Sequence, residues 1–200
     1  MNEVSSTALF IEKNRQRAFG NGKLIPHQIR SYKPSCWVRV YSLPKAKRYP
    51  ETQIEWETLL TRHNDIIEYL TTTDNHLYFI ESTIVSGEAS CSNPRSPCLD
   101  DFIFEDLPPV DLSQEDPHLY DAGDWLQNRL TIIEWKRRQL DELFRAFATD
   151  ALQGFFLTAN GENWIIPYDG GIDLVFSTAT KRNECANRFK EWKSDRSDGL

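Results

Sequence analysis

The sequence predicts a single α+β domain: a mixed, largely antiparallel sheet ending in a three-stranded meander, with about three helices packed mainly on one face. Three observations carry that expectation. A strand-like run at residues 36–43 leads into a helical stretch, Asn160-Gly161 separates two strand-like runs, and Asp169-Gly170-Gly171 separates the second of these from a third. A hairpin meander demands antiparallel pairing, whereas strand–helix–strand units permit parallel pairing, so the expected sheet is mixed. Two hundred residues, 40% apolar and 26% charged, suit one core.

Taken in order, residues 1–35 carry six bases against Glu3 and Glu12 and are broken by Gly20, Gly22, Pro26 and Pro34. They read as a basic, loosely ordered N-terminal arm with a short helix over residues 7–19, which leaves the domain to residues 36–200. In residues 36–43, Val38 and Val40 alternate with Trp37, Arg39 and Tyr41, the period of a half-buried strand, until Pro44 ends it. Thr52 and Glu55 have capping-box spacing, and Trp56, Leu59, Leu60, Ile66, Ile67 and Leu70 recur at three and four. A helix therefore runs to about residue 70. Residues 77–82 form a short strand rich in β-formers.

Residues 86–124 hold ten acids, one base and five prolines, which predicts a long acidic loop inserted in the domain. Beyond it, residues 125–134 read as a strand. Residues 136–149 read as a helix, with Leu140, Leu143, Phe144 and Phe147 on one stripe. Residues 154–159, 163–168 and 172–177 make the meander, and Asn160-Gly161 tolerates positive φ at both centres of a two-residue turn. Cys185, Phe189 and Trp192 mark a closing helix that begins after Thr178 or Thr180.

Composition removes several function classes. With 23 Lys and Arg against 30 Asp and Glu, the net charge is −7, so attraction to a phosphate backbone is not its main business and no nucleic acid is expected as partner. No apolar run approaches the roughly 18 residues of a membrane span, and no basic leader opens the chain, so a cytoplasmic protein is expected. Cys36, Cys91, Cys98 and Cys185 are scattered thiols rather than a disulfide framework. Phosphate-loop, dinucleotide, zinc-protease and nucleophile-elbow motifs are lacking, and none of the four histidines has a His or Cys at ligand spacing. No catalytic residue, metal or cofactor is assigned.

The candidate positions are few. Asp169 and Asp173 flank glycines and could hold a cation or orient water. The simpler reading is a turn whose angles the glycines supply, with Asp169 capping it and Asp173 on the polar side of a strand. His63 falls in the apolar stripe of the first long helix, beside Asn64, and reads as a hydrogen-bonded core residue. Arg48 precedes that helix and would pair with surface acids. Asp101 and Asp106 lack calcium-loop spacing and, with Phe102, Phe104 and Trp125, make an acidic, aromatic-containing face.

Two sets of residues carry a resemblance. Pro167-Tyr168-Asp169-Gly170-Gly171-Ile172-Asp173, with Trp192-Lys193-Ser194 and Gly199-Leu200, resembles the ending of uncharacterised bacterial proteins grouped as a domain of unknown function. Arg39-Val40-Tyr41-Ser42-Leu43-Pro44, Lys47-Arg48-Tyr49-Pro50-Glu51 and Arg62-His63-Asn64 are similar to their amino-terminal half; Arg196 stands where that pattern has histidine. The resemblance implies a shared fold and bacterial origin and brings no activity with it.

Two functional expectations follow. The first is a small bacterial cytoplasmic interaction module, in its sharpest form an immunity-type inhibitor that neutralises a basic toxin, with charge steering the encounter and buried aromatics supplying affinity. The alternative is an enzyme or small-ligand sensor whose pocket joins Arg48, His63 and Asn64 to Asp169 and Asp173.

Overall fold

The computed structural model describes residues 5–71, 74–86 and 96–193. In chain order these form α1 (Ser6–Phe19), α2 (Ile29–Tyr32), β1 (Trp37–Tyr41), α3 (Gln53–Leu70), β2 (His76–Ser86), β3 (Glu105–Asp106), β4 (Val110–Asp111), α4 (Leu112–Glu115), β5 (Asp124–Glu134), α5 (Asp141–Ala148), β6 (Gly154–Thr158), β7 (Asn163–Tyr168), β8 (Gly171–Phe176) and α6 (Ala179–Arg188). The eight strands make one sheet in the order β1-β8-β7-β6-β2-β5-β3, with β4 also on β5. The α+β class is as the sequence predicts. No described helix is long and apolar enough to cross a membrane.

The sheet is antiparallel at every described pairing rather than mixed. The reason lies in strand order. β8, β7 and β6 stand between β1 and β2, and β2 stands between β5 and β6, so neither strand–helix–strand unit has adjacent strands. The parallel option that each unit offered is never taken up.

Helices cover both faces, not mainly one. On the first, Leu59, Leu60, Ile66 and Ile67 of α3 and Phe144 and Phe147 of α5 pack on Phe79, Phe156, Ile165 and Leu174. On the second, Ile11 and Phe19 of α1, with Leu24 and Ile29, pack on Phe155, Leu157, Trp164 and Ile166. The basic arm expected to be loose is thus part of the core. Ser5 caps α1 by accepting from Ala8 N at 3.0 Å and donates to Glu105 at 2.6 Å, and Lys33 donates to Ser177 O at 3.0 Å. Four of its six bases, Lys13, Arg17, Lys23 and Arg30, are exposed, which is why composition alone suggested a solvated extension.

The acidic segment is likewise more built than expected where it is described. Leu99, Leu107 and Leu112 are buried, and β3 and β4 pair along β5. Cys91 and Arg95 lie outside the described residues. Local punctuation is better matched: Thr52 and Glu55 form the reciprocal capping box of α3, and Thr178 caps α6. The Asn160-Gly161 connection is longer than two residues, and only Gly161 of the pair takes a left-handed φ, +70°. In the β7–β8 turn neither glycine has positive φ. Gly171 is needed for close approach, because a Cβ there would stand 2.2 Å from the Val40 carbonyl oxygen on β1.

Candidate functional site

At one end of the sheet, β1 stops at Tyr41, β7 turns into β8 through Asp169-Gly170, and β6 begins at Gly154. β2 runs on past this point, since Glu81 is the residue opposite Gly154 and the strand continues to Ser86. The step encloses a cavity of about 580 Å³ on the face covered by the N-terminal segment. Its volume is that of a small-molecule site.

Arg39 and Asp173 are cross-strand partners on β1 and β8. Val38 and Val40 point to the α3 side, so Arg39 projects the other way, into the cavity. Ile172 and Leu174 place Asp173 beside it for the same reason. The pair is bidentate, with Nε to Oδ1 at 2.7 Å and Nη2 to Oδ2 at 2.8 Å, and both side chains are largely withdrawn from water. The guanidinium lies over the Tyr168 ring at 4.6 Å and over Trp37 at 5.6 Å. Burial pushes the Tyr168 phenol well above its ordinary value.

A second pair sits at the rim. Arg48 is an exposed side chain that reaches the buried carboxylate of Asp169, and Tyr49 donates to the same carboxylate at 2.8 Å. The same hydroxyl lies 3.3 Å from Asp150 Oδ2, so its one hydrogen is shared between the two carboxylates. Burial, with the Asp169 charge behind it, raises the Asp150 carboxyl above its usual value. Of the four non-glycine residues with left-handed φ among those described, Lys45, Ala46 and Asp150 lie in the segments that frame this end. Such backbone is costly and gathers where a site imposes it. Arg30, His27, Tyr41 and Tyr120 complete the walls.

The structure therefore brings together Arg48, Asp169 and Asp173 of the expected pocket and leaves out His63 and Asn64. His63 is buried, its Nε2 is 2.8 Å from Ser42 Oγ, and its ring meets the Phe144 ring edge-on at 5.0 Å. Burial pushes its pKa down to about 3, so the ring is neutral at neutral pH and a weak base. Asn64 is a brace: its amide donates to Leu60 O and to Asp141 at 2.7 Å, and its oxygen accepts from Arg138 N at 2.7 Å. Nor does Asp169 cap its own turn, as the turn reading supposed; it and Asp173 are buried acceptors of arginine.

On the acidic segment, Asp101 and Asp106 are exposed and Trp125 is 41% exposed. Phe102 and Phe104 turn inward instead, with ring centroids 6.4 and 6.0 Å from Phe79. Arg39, Tyr49, Asp150 and Tyr168 were missed as site residues. Arg39 was legible only as the polar side of a strand, because its partner lies 134 residues away. Among the described residues no three His, Cys, Asp or Glu side chains gather as a metal site. The floor offers fixed guanidinium and carboxylate groups beside aromatic walls, an arrangement that recognises charge.

Residues 25–197 match the family described as Domain of unknown function (DUF3885), and the chain belongs to that family. No curated protein and no solved structure matches it.

Proposed function

We propose that this family member is a small-ligand binding module whose cleft takes a dipolar solute of the free amino-acid class. One observation carries the reading: three guanidinium groups, Arg30, Arg39 and Arg48, and three carboxylates, Asp150, Asp169 and Asp173, line a single cavity with tyrosine walls. A solute bearing one anionic and one cationic group meets complementary partners for both, and the withdrawal of Arg39 and Asp173 from water strengthens the contacts made at the floor. The Arg39–Asp173 pair is held on two strands and supplies a rigid floor; Arg48 and Asp150 at the rim adapt. The only described serine–histidine pair, Ser42 with His63, is buried away from the cleft, which supports recognition over covalent catalysis. A bacterial cytoplasmic setting belongs to the same proposal and is supported by the free thiols Cys36, Cys98 and Cys185.

The test is a thermal-shift screen of the full chain against free amino acids and their singly charged analogues. At a ligand concentration about 100 times Kd, binding adds about 2.7 kcal/mol, or about 5–10 °C for a chain of this size. A dipolar compound should produce that rise and an analogue lacking either charge should not. Equal shifts from the singly charged analogues, or none from any dipolar member, would overturn the reading. The acidic-inhibitor reading keeps one favourable observation, the exposed neighbours Val85 and Trp125 on β2 and β5. Salt-sensitive capture of a basic protein that Trp125→Ala abolishes would decide for it.

A further inference from the structure

Beside the first cleft, and sharing Tyr41 and Ala46 with it, a second cavity of about 410 Å³ is lined by Lys45, Arg62, Lys190, Glu191, Trp192 and Lys193 among others. Four cations and one carboxylate converge there, although the chain as a whole carries −7. Their pairing is sparse. Glu191 reaches only Lys190, at 3.9 Å, and among the described residues neither Lys45, Arg62 nor Lys193 has an ion pair.

Arg62 is the centre of this arrangement. It projects from α3, donates Nη1 to the Tyr41 carbonyl at 2.9 Å, and lies over the Trp192 ring at 5.0 Å. The carbonyl and the ring hold the guanidinium in place and neutralise none of its charge. Burial lowers its pKa from the ordinary arginine value while leaving it cationic. A partly desolvated, positioned guanidinium without a counter-ion is costly by itself, and an anion relieves that cost. Arg39 and Arg48 of the first cleft each have a carboxylate; among the described residues Arg62, 23 residues along from Arg39, has none.

We propose that this second cleft binds a small oxyanion of the phosphate-monoester class, with Arg62 as the planar donor and Lys45, Lys190 and Lys193 as surrounding point charges. The excess of positive charge favours a dianion over a monocarboxylate. Arg62 offers paired N–H groups to two oxygens, and the lysines, on separate segments, meet the third. The site is independent of the dipolar-ligand reading, because none of its cations lines the first cleft.

The experiment titrates the full chain with inorganic phosphate, a phenyl phosphate and acetate by calorimetry, at an ionic strength held near 0.15 M with chloride. Both phosphates should bind and acetate should bind at least about tenfold more weakly. Arg62→Gln should weaken phosphate by at least about tenfold, the loss expected for a single charge-assisted hydrogen bond. The Lys190→Gln/Lys193→Gln pair, on partly or fully exposed side chains that do not support the core, should do the same if Arg62→Gln folds poorly. Lys13→Gln, on the exposed side of α1, should change nothing. Phosphate heat indistinguishable from chloride, unchanged affinity in the lysine pair, or loss of binding in Arg48→Gln but not in Arg62→Gln would overturn the assignment; the last places the anion in the first cleft.

Discussion

Replacing Asp173 by Asn tests whether the cleft floor is a desolvated ion pair. In the folded chain the Arg39 and Asp173 side chains are 13% and 11% exposed, so neither charge recovers much hydration when the other is removed. Breaking a buried pair from one side costs about 3–5 kcal/mol. Two features reduce that figure here. Asn retains one acceptor for the guanidinium, and the Tyr168 and Trp37 rings continue to face it. The net expectation is about 2–4 kcal/mol, which for 200 residues lowers Tm by about 4–16 °C. The double substitution Arg39→Met/Asp173→Leu removes both charges and restores apolar packing, so it should return to within about 1 kcal/mol of the parent while losing dipolar ligands entirely. Urea unfolding followed by tryptophan fluorescence measures the first quantity and calorimetric titration the second. A loss under about 0.5 kcal/mol for Asp173→Asn would assign the pair to the solvated surface class and refute the argument. So would a double variant as unstable as the single one.

Three further outcomes follow from buried groups. His63 is neutral in the folded chain and its pKa is lowered from 6.5 to about 3, so the unfolded chain takes up that proton first as pH falls. Stability complete above pH 6.5 is lost progressively between pH 6.5 and 3, by on the order of 5 kcal/mol from this group; His63→Gln should flatten that slope in urea titrations, and an unchanged slope would count against it. Gly171→Ala sets a Cβ against backbone, 2.2 Å from Val40 O, and should cost more than about 2 kcal/mol with loss of amide protection along β1; full protection by hydrogen exchange would contradict the close approach. Ile11→Ala should cost about 2–5 kcal/mol, because Ile11 is 1% exposed under the second face; a cost near zero would restore the loose-arm reading.

What was legible in the sequence was local. Thr52 and Glu55 are three residues apart, and their capping box needs no distant partner. The meander is bounded by turn residues that declare themselves, although Gly171 serves the neighbouring β1 backbone rather than a positive φ. Strand order was not legible, since placing β1 beside β8 joins Arg39 to a residue at the other end of the chain. Phe155-Phe156-Leu157 and Trp164-Ile165-Ile166 are continuous apolar runs, and a strand without alternation is covered on both faces. Three helices on one face leave the second face bare, so the N-terminal segment had to be its cover. The same reasoning explains the site: Arg39 and Asp173 are polar interruptions on a face that is otherwise apolar, at Trp164, Ile166 and Val175.

The location of the first cleft follows from mismatched strand lengths. β2 and β5 are eleven residues long, whereas β6 is five, so the sheet has a step where β6 begins. A step in a sheet is a concavity that backbone hydrogen bonding leaves open, and Ile84 and Gly154 stand on its two sides. Chain crossings at the same end bring in residues 44–50, whose left-handed Lys45 and Ala46 direct Arg48 to one cleft and Lys45 to the other. Because the floor charges sit on paired strands and the rim charges on this crossing, ligand selectivity should reside in Arg39 and Asp173 and the kinetics of entry in Arg48. A scaffold with strands of equal length would close the step and leave these arginines with only each other's neighbours to meet.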